Sequence, residues 1–254
     1  LLIFNDYMNC LWADPDSQTC LSLAALAAKV GADAYVMDSG WFARRGEDWS
    51  LHLGEWGTDS DRFEEGLGGF FRKIREMGLV PGVWFEIEVC NSEVAERFPA
   101  DWFVCSRGVK VGGKARKFFN FTNPKVRTYL TEKIEALLRM GVRVIKNDYN
   151  DSYSARGEEA FRMQENFRAF FEFFESLYRR YPDLVVENCG SGAMRSDGQM
   201  LNHFALQSVS DQDDYRLYPS IVKGSLMNVL PEQLGIWCMP HPVHCSGRDL
   251  NAGT

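Results

Sequence analysis

"RVIKNDYND" (residues 143–151) begins as a buried β-strand and ends in charge. Val144 and Ile145 are apolar and β-branched, as is usual in the middle of a strand, but Lys146 and Asp148 then carry an ammonium group and a carboxylate to its end. Side chains two positions apart on a strand point to the same side, so these two groups lie together. The cation lowers the pKa of the carboxylate and keeps it ionised. Asp148 is therefore a candidate nucleophile or charge stabiliser.

Strand-length apolar runs recur along the chain, and amphipathic segments of helical length separate them. This alternation predicts parallel βα units. The predicted strands are residues 1–4, 34–38, 80–86, 143–148, 184–188, 204–210 and 236–240, and the predicted helices are residues 16–32, 62–78, 123–141 and 167–183. The fold class is therefore α/β, a (β/α)8 TIM-type barrel, with residues 1–254 as a single catalytic barrel domain. Only seven strands are found, so the barrel is expected to be incomplete at its C-terminal end.

Composition excludes several classes of protein. The 28 Lys and Arg residues against 35 Asp and Glu residues give a net charge of -7, which argues against nucleic-acid binding. The seven cysteines form no C-x-x-C pair, which favours a reduced, cytoplasmic location over a zinc or redox site. No apolar run reaches the roughly 20 residues of a membrane span, so no membrane partner is expected.

Carboxylates recur where the predicted strands end. They are Asp6, Asp38, Glu86, Asp148, Glu187 and Asp211. The carboxyl ends of the strands share the face of a barrel that carries active sites. A single such acid is as well explained by helix capping, but six in succession predict a pocket ringed by acids.

Two chemistries suit such a pocket. Glycoside hydrolysis needs two carboxyl groups in unlike protonation states, whereas Mg²⁺-assisted enolisation would use Glu86, Asp148 and Glu187 as ligands. Aromatic residues near the strand ends (Trp41, Trp56 and Trp84) favour the first, because flat apolar rings suit the C–H face of a sugar. The "HPVH" pair at 241–244 is interpreted as a loop without metal, and no metal or cofactor is expected.

Six motifs in order and spacing resemble the catalytic barrel of glycoside hydrolase family 36, which consists mainly of α-galactosidases. They are "MDSGWF" (37–42), "GEWGTD" (54–59), "GVWFEIE" (82–88), "IKNDYN" (145–150), "ENCGSGAMRSD" (187–197) and "SVSDQDD" (208–214). The resemblance implies a retaining double displacement. In it, Asp148 is the nucleophile and Asp211 is the general acid and base, with their carboxyl groups about 5–5.5 Å apart.

The same resemblance implies a subsite that binds an α-linked galactoside. Its residues would be Asp38, Ser39, Trp84, Arg116, Lys146, Cys189 and Gly192. Lys146 and Arg116 would donate to hydroxyl groups, Trp84 would be an apolar wall, and Gly192 would let backbone approach the ligand. Cys189 would pack and make weak contacts rather than act as a nucleophile.

The sequence departs from the family pattern at two positions. Ser39 stands where the family usually has a second aspartate, which puts galactose specificity in question and leaves α-N-acetylgalactosaminidase and α-glucosidase activities open. Asn147 stands where the family often has Trp, on the opposite face of the strand from the chemistry. A sugar-binding or catalytically degenerate barrel is the remaining alternative. Family members carry flanking β domains and often form homo-oligomers, so the chain is expected to be a core of such a protein.

Overall fold

A computed structural model describes residues 1–58, 61–151 and 156–238. Its strands are β1 (Ile3–Asn5), β2 (Ala34–Met37), β3 (Val80–Phe85), β4 (Val89–Asn91), β5 (Cys105–Ser106), β6 (Val109–Lys110), β7 (Arg116–Phe118), β8 (Val144–Asn147), β9 (Val185–Asn188), β10 (Leu206–Ser208) and β11 (Leu234–Gly235). The helices are α1 (Ser17–Lys29), α2 (Gly66–Glu76), α3 (Ser92–Ala95), α4 (Pro124–Arg139), α5 (Glu158–Arg180), α6 (Gly198–His203) and α7 (Tyr218–Ser225). No helix within these ranges is both long enough and apolar enough to cross a bilayer.

Seven strands form one parallel sheet in the order β1-β2-β3-β8-β9-β10-β11. Helices separate most neighbouring strands along the chain, so the predicted βα alternation is confirmed. The two outer strands, β1 and β11, border a common cavity of about 130 Å³, which shows that the sheet curls until its edges approach each other. An eighth strand that closes the barrel is not present among the described residues.

Local sequence signals explain where the helices begin. The side chain of Asp16 caps α1 by accepting from the backbone N–H of Thr19, and Asn123 caps α4 with Pro124 in its first turn. The predicted start of the long helix at 167 is wrong, because α5 already begins at Glu158, where two acidic residues occupy its first turn. Its phenylalanines at 170, 173 and 174 are buried in the core, as predicted.

The last predicted strand, residues 236–240, is displaced. The observed strand β11 covers only Leu234–Gly235 and pairs with β10 through Gln207 and Ser208. Residues 239 and 240 lie outside the described residues, as does the "HPVH" segment.

Two small antiparallel pairs stand outside the main sheet, and one of them positions a functional side chain. Strand β4 pairs with β7 so that Asn91 lies opposite Arg116. Strand β4 follows β3 closely, and its pairing with β7 brings Arg116 to the carboxyl end of β3, where its side chain meets Glu86.

Candidate active site

The register of the central strands places three functional side chains in one row. Trp84 on β3 lies opposite Lys146 on β8, which in turn lies opposite Glu187 on β9. Because side chains alternate along a strand, these three share one face of the sheet. Asn147, one position on, is completely buried. The alternation thus places the functional side chains on one face of the strand and Asn147 on the other.

Asp148 follows β8 and is surrounded by hydrogen-bond donors. Its Oδ2 accepts from the indole Nε1 of Trp84 at 3.0 Å and from the Nδ2 of Asn150 at 3.0 Å. Its Oδ1 accepts from the backbone N–H groups of Tyr149 at 2.8 Å and Ser191 at 3.3 Å. Four donors on one buried carboxylate hold it in a single orientation and favour the anion.

These donors and the neighbouring cation determine the charge of Asp148. Burial acts to raise the pKa of Asp148, but the charge of Lys146 and hydrogen bonds from Asn150, Trp84 and the thiol of Cys189 outweigh it, so the pKa lies below its usual value. Asp148 is therefore ionised at neutral pH, as a nucleophile requires.

Asp211 has the opposite tendency. It lies in the loop after β10, exposed at the mouth of the site. Desolvation against the wall of the site raises the pKa of Asp211; the charge of Lys146 opposes this rise, while Asp148 and Asp38 add to it. The backbone N–H of Ser191 contacts Asp148, and the next residue, Gly192, packs against the backbone of Asp211. The structure therefore brings Asp211 to the site that holds Asp148. A low and a raised pKa in the same site are the condition for one base and one acid.

Lys146 forms a buried ion pair with Asp38. Its Nζ lies 2.8 Å from Oδ2 of Asp38, and both side chains are almost completely buried. The same oxygen accepts from the Nδ2 of Asn5 at 2.7 Å, while Oδ1 accepts from the backbone N–H of Ser39 at 2.8 Å. Lys146 also lies 5.0 Å from the centre of the Trp237 ring. The ion pair fixes both polar groups in the floor of the site.

Asp6 belongs to the support of the site rather than to its wall. Its carboxylate accepts from the backbone N–H of Asp38 at 2.8 Å and from the hydroxyl of Tyr35 at 2.9 Å. Burial raises the pKa of Asp6 to about 7. Asp6 thus fixes the turn that carries Asp38, and the expectation that all six strand-end acids ring the pocket is wrong for this one.

Arg116 and Gly192 each contact protein groups at the site. Arg116 pairs with the buried Glu86, with its Nε and Nη2 each 3.2 Å from Oε2 of that carboxylate. Gly192 has φ +83°, and a side chain there would lie 2.9 Å from the backbone N of Asp211 and 3.0 Å from Cα of Ser210. Only glycine therefore lets this loop pack against the segment that carries Asp211.

Cys189 and the three tryptophans are buried. The thiol of Cys189 contacts Asp148, and burial together with that negative charge raises the pKa of the thiol well above its usual value, so it stays protonated. Trp41 and Trp56 lie inside the aromatic core, 0% and 1% exposed, so the prediction that they face a sugar is wrong. Trp84 is 2% exposed: its indole N–H donates to Asp148, and its ring packs against those of Phe42 and Trp49.

The site does not fit the alternative magnesium hypothesis. Both oxygens of Glu86 accept N–H groups from Arg116 and Asn150, and both oxygens of Asp148 are occupied by donors. Ligands to Mg²⁺ need free oxygens. Across residues 1–58, 61–151 and 156–238, no three His, Cys, Asp or Glu side chains are grouped as a metal site would require.

Several site residues are absent from the sequence-based prediction. Asn5, Asn150 and Ser191 contact Asp38 or Asp148, and Tyr7, in a π-helical turn at Tyr7–Leu11, lies in the field of Asp38, Lys146, Asp148 and Asp211. Asn5 and Tyr7 sit at the end of β1, and Asn150 follows β8. A position at or after a strand end is the signal that Asn5, Tyr7 and Asn150 share with the acids, but these residues are uncharged at neutral pH, so a pattern of carboxylates does not distinguish them.

A family model described as Melibiase matches residues 2–250. The bifunctional alpha-galactosidase/sucrose kinase AgaSK of Mediterraneibacter gnavus is 30% identical over 243 residues, which cover 92% of this chain and 25% of that protein. The structure of the galactosidase domain of AgaSK superposes with a TM-score of 0.80 at 27% identity and covers 92% of this chain and 32% of that one. A variant of the GH36 alpha-galactosidase AgaA of Geobacillus stearothermophilus, in complex with raffinose, gives a TM-score of 0.82 at 23% identity, over 97% of this chain and 36% of that one. The chain thus spans about a quarter to a third of these proteins.

Proposed function

The chain belongs to the melibiase family of alpha-galactosidase-type glycoside hydrolases, and from this premise we propose that it hydrolyses α-galactosides with retention of configuration. Asp148 attacks the anomeric carbon and forms a glycosyl-enzyme intermediate. Asp211 first protonates the departing oxygen and then activates the water that releases the sugar.

The observation that carries this proposal is the arrangement of the two aspartates: four donors hold Asp148, and the loop that supplies one of them packs against the segment that carries Asp211. Their environments also differ. Donors and the Lys146 cation lower the pKa of Asp148, while desolvation raises that of Asp211. One carboxylate is thus available to attack, while the other takes up a proton more readily than an ordinary aspartate. Retaining hydrolysis requires that combination across a single sugar ring.

The proposed sugar subsite lies beside this pair. Lys146 and Asp38 would contact hydroxyl groups of the sugar, and Arg116, with its guanidinium partly exposed, would reach a further hydroxyl. Cys189 and Trp84 support Asp148 from behind, and Gly192 sets the position of Asp211. The substrates are therefore α-linked galactosides, and raffinose in the complex with AgaA is an example from a structural neighbour.

Ser39 makes the choice of sugar the part of the proposal that most needs testing. Its side chain is buried, and a hydroxyl replaces the carboxylate expected from the family pattern. Losing an acceptor for a sugar hydroxyl costs about 1–3 kcal/mol, which is enough to shift preference between sugars by about 5- to 150-fold. α-N-Acetylgalactosaminidase or α-glucosidase activity is the second candidate, and this residue is the observation that favours it.

The test is a panel of p-nitrophenyl α-glycosides: galactoside, N-acetylgalactosaminide and glucoside. We expect the galactoside to be the best substrate, and Asp148→Ala and Asp211→Ala to lose hydrolysis. Azide should restore turnover of Asp148→Ala and give a β-galactosyl azide. Glu132→Ala, which removes an exposed acid from α4, is the matched control.

Three results would contradict the proposal. Wild-type rates in both aspartate variants would remove the assignment of Asp148 and Asp211. Galactose binding by wild-type protein without any turnover would show a sugar-binding, catalytically degenerate barrel. Loss of activity with a chelator would revive the magnesium hypothesis.

We also propose that residues 1–254 form one catalytic barrel and that an eighth strand closes it between β1 and β11. Each of these strands lacks a sheet neighbour on one side among the described residues, and exposed sheet edges are usually covered. Their common cavity is lined mainly by apolar groups, including Leu1, Leu206 and Ile236. A structure of the whole protein in which both strands have an unpaired edge would contradict this. We propose further that the whole protein is a homo-oligomer, and a monomeric mass by light scattering would contradict that.

A further inference from the structure

Glu86 is a buried carboxylate whose two oxygens serve different parts of the site. It follows β3 and is 0% exposed. Its Oε2 accepts from Nε of Arg116 at 3.2 Å and lies 3.2 Å from Nη2 of the same guanidinium. Its Oε1 accepts from the backbone N–H of Asn150 at 2.8 Å. One side chain thus touches both Arg116 on β7 and the loop after β8.

Asn150 passes this contact on to Asp148. Its Nδ2 donates to Oδ2 of Asp148 at 3.0 Å, and its Oδ1 accepts from the hydroxyl of Ser191 at 2.7 Å. The backbone N–H of Ser191 in turn points at Oδ1 of Asp148 at 3.3 Å. The position of Asn150 therefore controls one donor on Asp148 directly and a second through Ser191.

We propose that Glu86 is a positioning residue for glycoside hydrolysis, which holds Arg116 in place for the sugar and holds Asp148 in place through Asn150. The inference rests on the proposed function and deepens it. Because Glu86 is fully buried, it does not touch the substrate. Its effect on the reaction passes through the two side chains that do.

Glu88 provides a matched control on the same segment of chain. It is also buried, and it also pairs with an arginine, because Nη1 of Arg195 lies 2.6 Å from its Oε1. Arg195 packs over the ring of Tyr149 at 4.2 Å rather than against the sugar subsite. Glu86→Gln and Glu88→Gln therefore each remove the charge from a buried pair, but only the first breaks the link between Arg116 and Asn150.

The experiment compares kcat and KM of both variants on p-nitrophenyl α-galactoside, together with their thermal unfolding. We expect both variants to unfold at a lower temperature. Glu86→Gln should lower kcat/KM by about 100-fold, since a displacement of active-site groups by about 1 Å costs that much. Displacement of Arg116 should raise KM, and displacement of Asp148 should lower kcat. Glu88→Gln should leave both constants near wild type. Equal kinetic losses in the two folded variants, or none in Glu86→Gln, would overturn the proposal.

A double variant tests the route through Arg116. If Glu86 acts on the sugar through that side chain, Arg116→Gln combined with Glu86→Gln should lose less than the product of the two single losses. Full multiplicativity would show that the two residues act independently. If Glu86→Gln does not fold, Glu86→Asp keeps the charge and withdraws it by one methylene. A folded Glu86→Asp with wild-type kcat and KM would overturn the proposal.

Calorimetric binding of galactose separates this inference from the proposed function. Azide rescue of Asp148→Ala tests the mechanism alone, and its failure would remove the nucleophile assignment whatever Glu86 does. The affinity for galactose should fall about tenfold in folded Glu86→Gln or Glu86→Asp. Arg116 loses its contact with Glu86 in these variants, and this weakens sugar binding even though galactose has no glycosidic bond to hydrolyse. An unchanged affinity in those variants would reject the role of Glu86 even if rescue succeeds.

Discussion

Replacing Trp84 with Phe removes one hydrogen-bond donor from the proposed nucleophile. The indole Nε1 lies 3.0 Å from Oδ2 of Asp148, and the side chain is 2% exposed, so water does not readily take its place. A hydrogen bond to a charged group contributes about 1.5–3 kcal/mol. The donor stabilises the anion, so its loss raises the pKa of Asp148. At 1.36 kcal/mol per pH unit, the acid limb of kcat/KM should move up by roughly one to two pH units.

The assay is a pH–rate profile with p-nitrophenyl α-galactoside, in which samples are quenched into alkali so that the nitrophenolate is read at constant pH. Trp56→Phe is the control. Trp56 belongs to the same buried cluster, with its ring 6.3 Å from that of Trp84, and its Nε1 has no hydrogen-bond partner in the described structure. Both variants lose the same atoms from the core, but only one loses a donor to Asp148.

We expect Trp56→Phe to reduce stability and leave the acid limb in place, whereas Trp84→Phe should move it. An acid limb that coincides with wild type in a folded Trp84→Phe protein would refute the reasoning. The charge of Asp148 would then depend on Lys146 and the remaining donors alone. A shift of the same size in both variants would show that the acid limb moves because the core is disturbed and not because Asp148 loses a donor.

Three further outcomes follow from the site. Asp211→Asn should abolish the alkaline limb of kcat/KM. It should also reduce turnover of raffinose far more than that of p-nitrophenyl α-galactoside, because the nitrophenolate leaving group needs little protonation. Equal losses on both substrates would contradict an acid role. Lys146→Met leaves its buried carboxylate partner without a cation and should lower the free energy of unfolding by about 3–5 kcal/mol in urea titrations. Burial raises the pKa of Asp6, Glu86 and Glu187 to about 7. Between about pH 4 and 7 the folded protein therefore holds protons that the unfolded chain releases. Its free energy of unfolding should fall as pH rises through that window, by at most about 1.4 kcal/mol per pH unit for each group. Calorimetry that shows greater stability at pH 7 than at pH 5 would contradict this.

Much of the fold could be predicted from the sequence because its signals are local. The apolar runs that predict β2, β3, β8 and β9 are signals of a few residues each, and the structure confirms these segments as parallel strands. The family resemblance is confirmed by the match over residues 2–250. The prediction was weakest for the strand at 236–240, since an edge strand of two residues has little local pattern.

The candidate site was predicted only in its charged members. The sequence pointed to Asp38, Lys146 and Asp148, and the structure brings them together. It could not show that Trp41 and Trp56 are buried while Trp84 donates to Asp148, because all three look alike beside a strand end. Nor could it show that Glu86 is engaged by Arg116, because that contact depends on the pairing of β7 with β4, two strands that lie about 25 residues apart in the chain.

The sequence by itself determined which segments form the central strands, the presence of acids at their carboxyl ends, and the shared side of Lys146 and Asp148. The first two follow from local apolar runs, and the third follows from the two-residue period of a strand. Only the tertiary structure decided that the pKa of Asp211 is raised and which groups support the site. One donor to Asp148, Trp84, comes from 64 positions away, and the ion-pair partner of Lys146 comes from 108 positions away. A pKa depends on burial and on charges within a few ångströms, and folding alone brings such distant residues into contact.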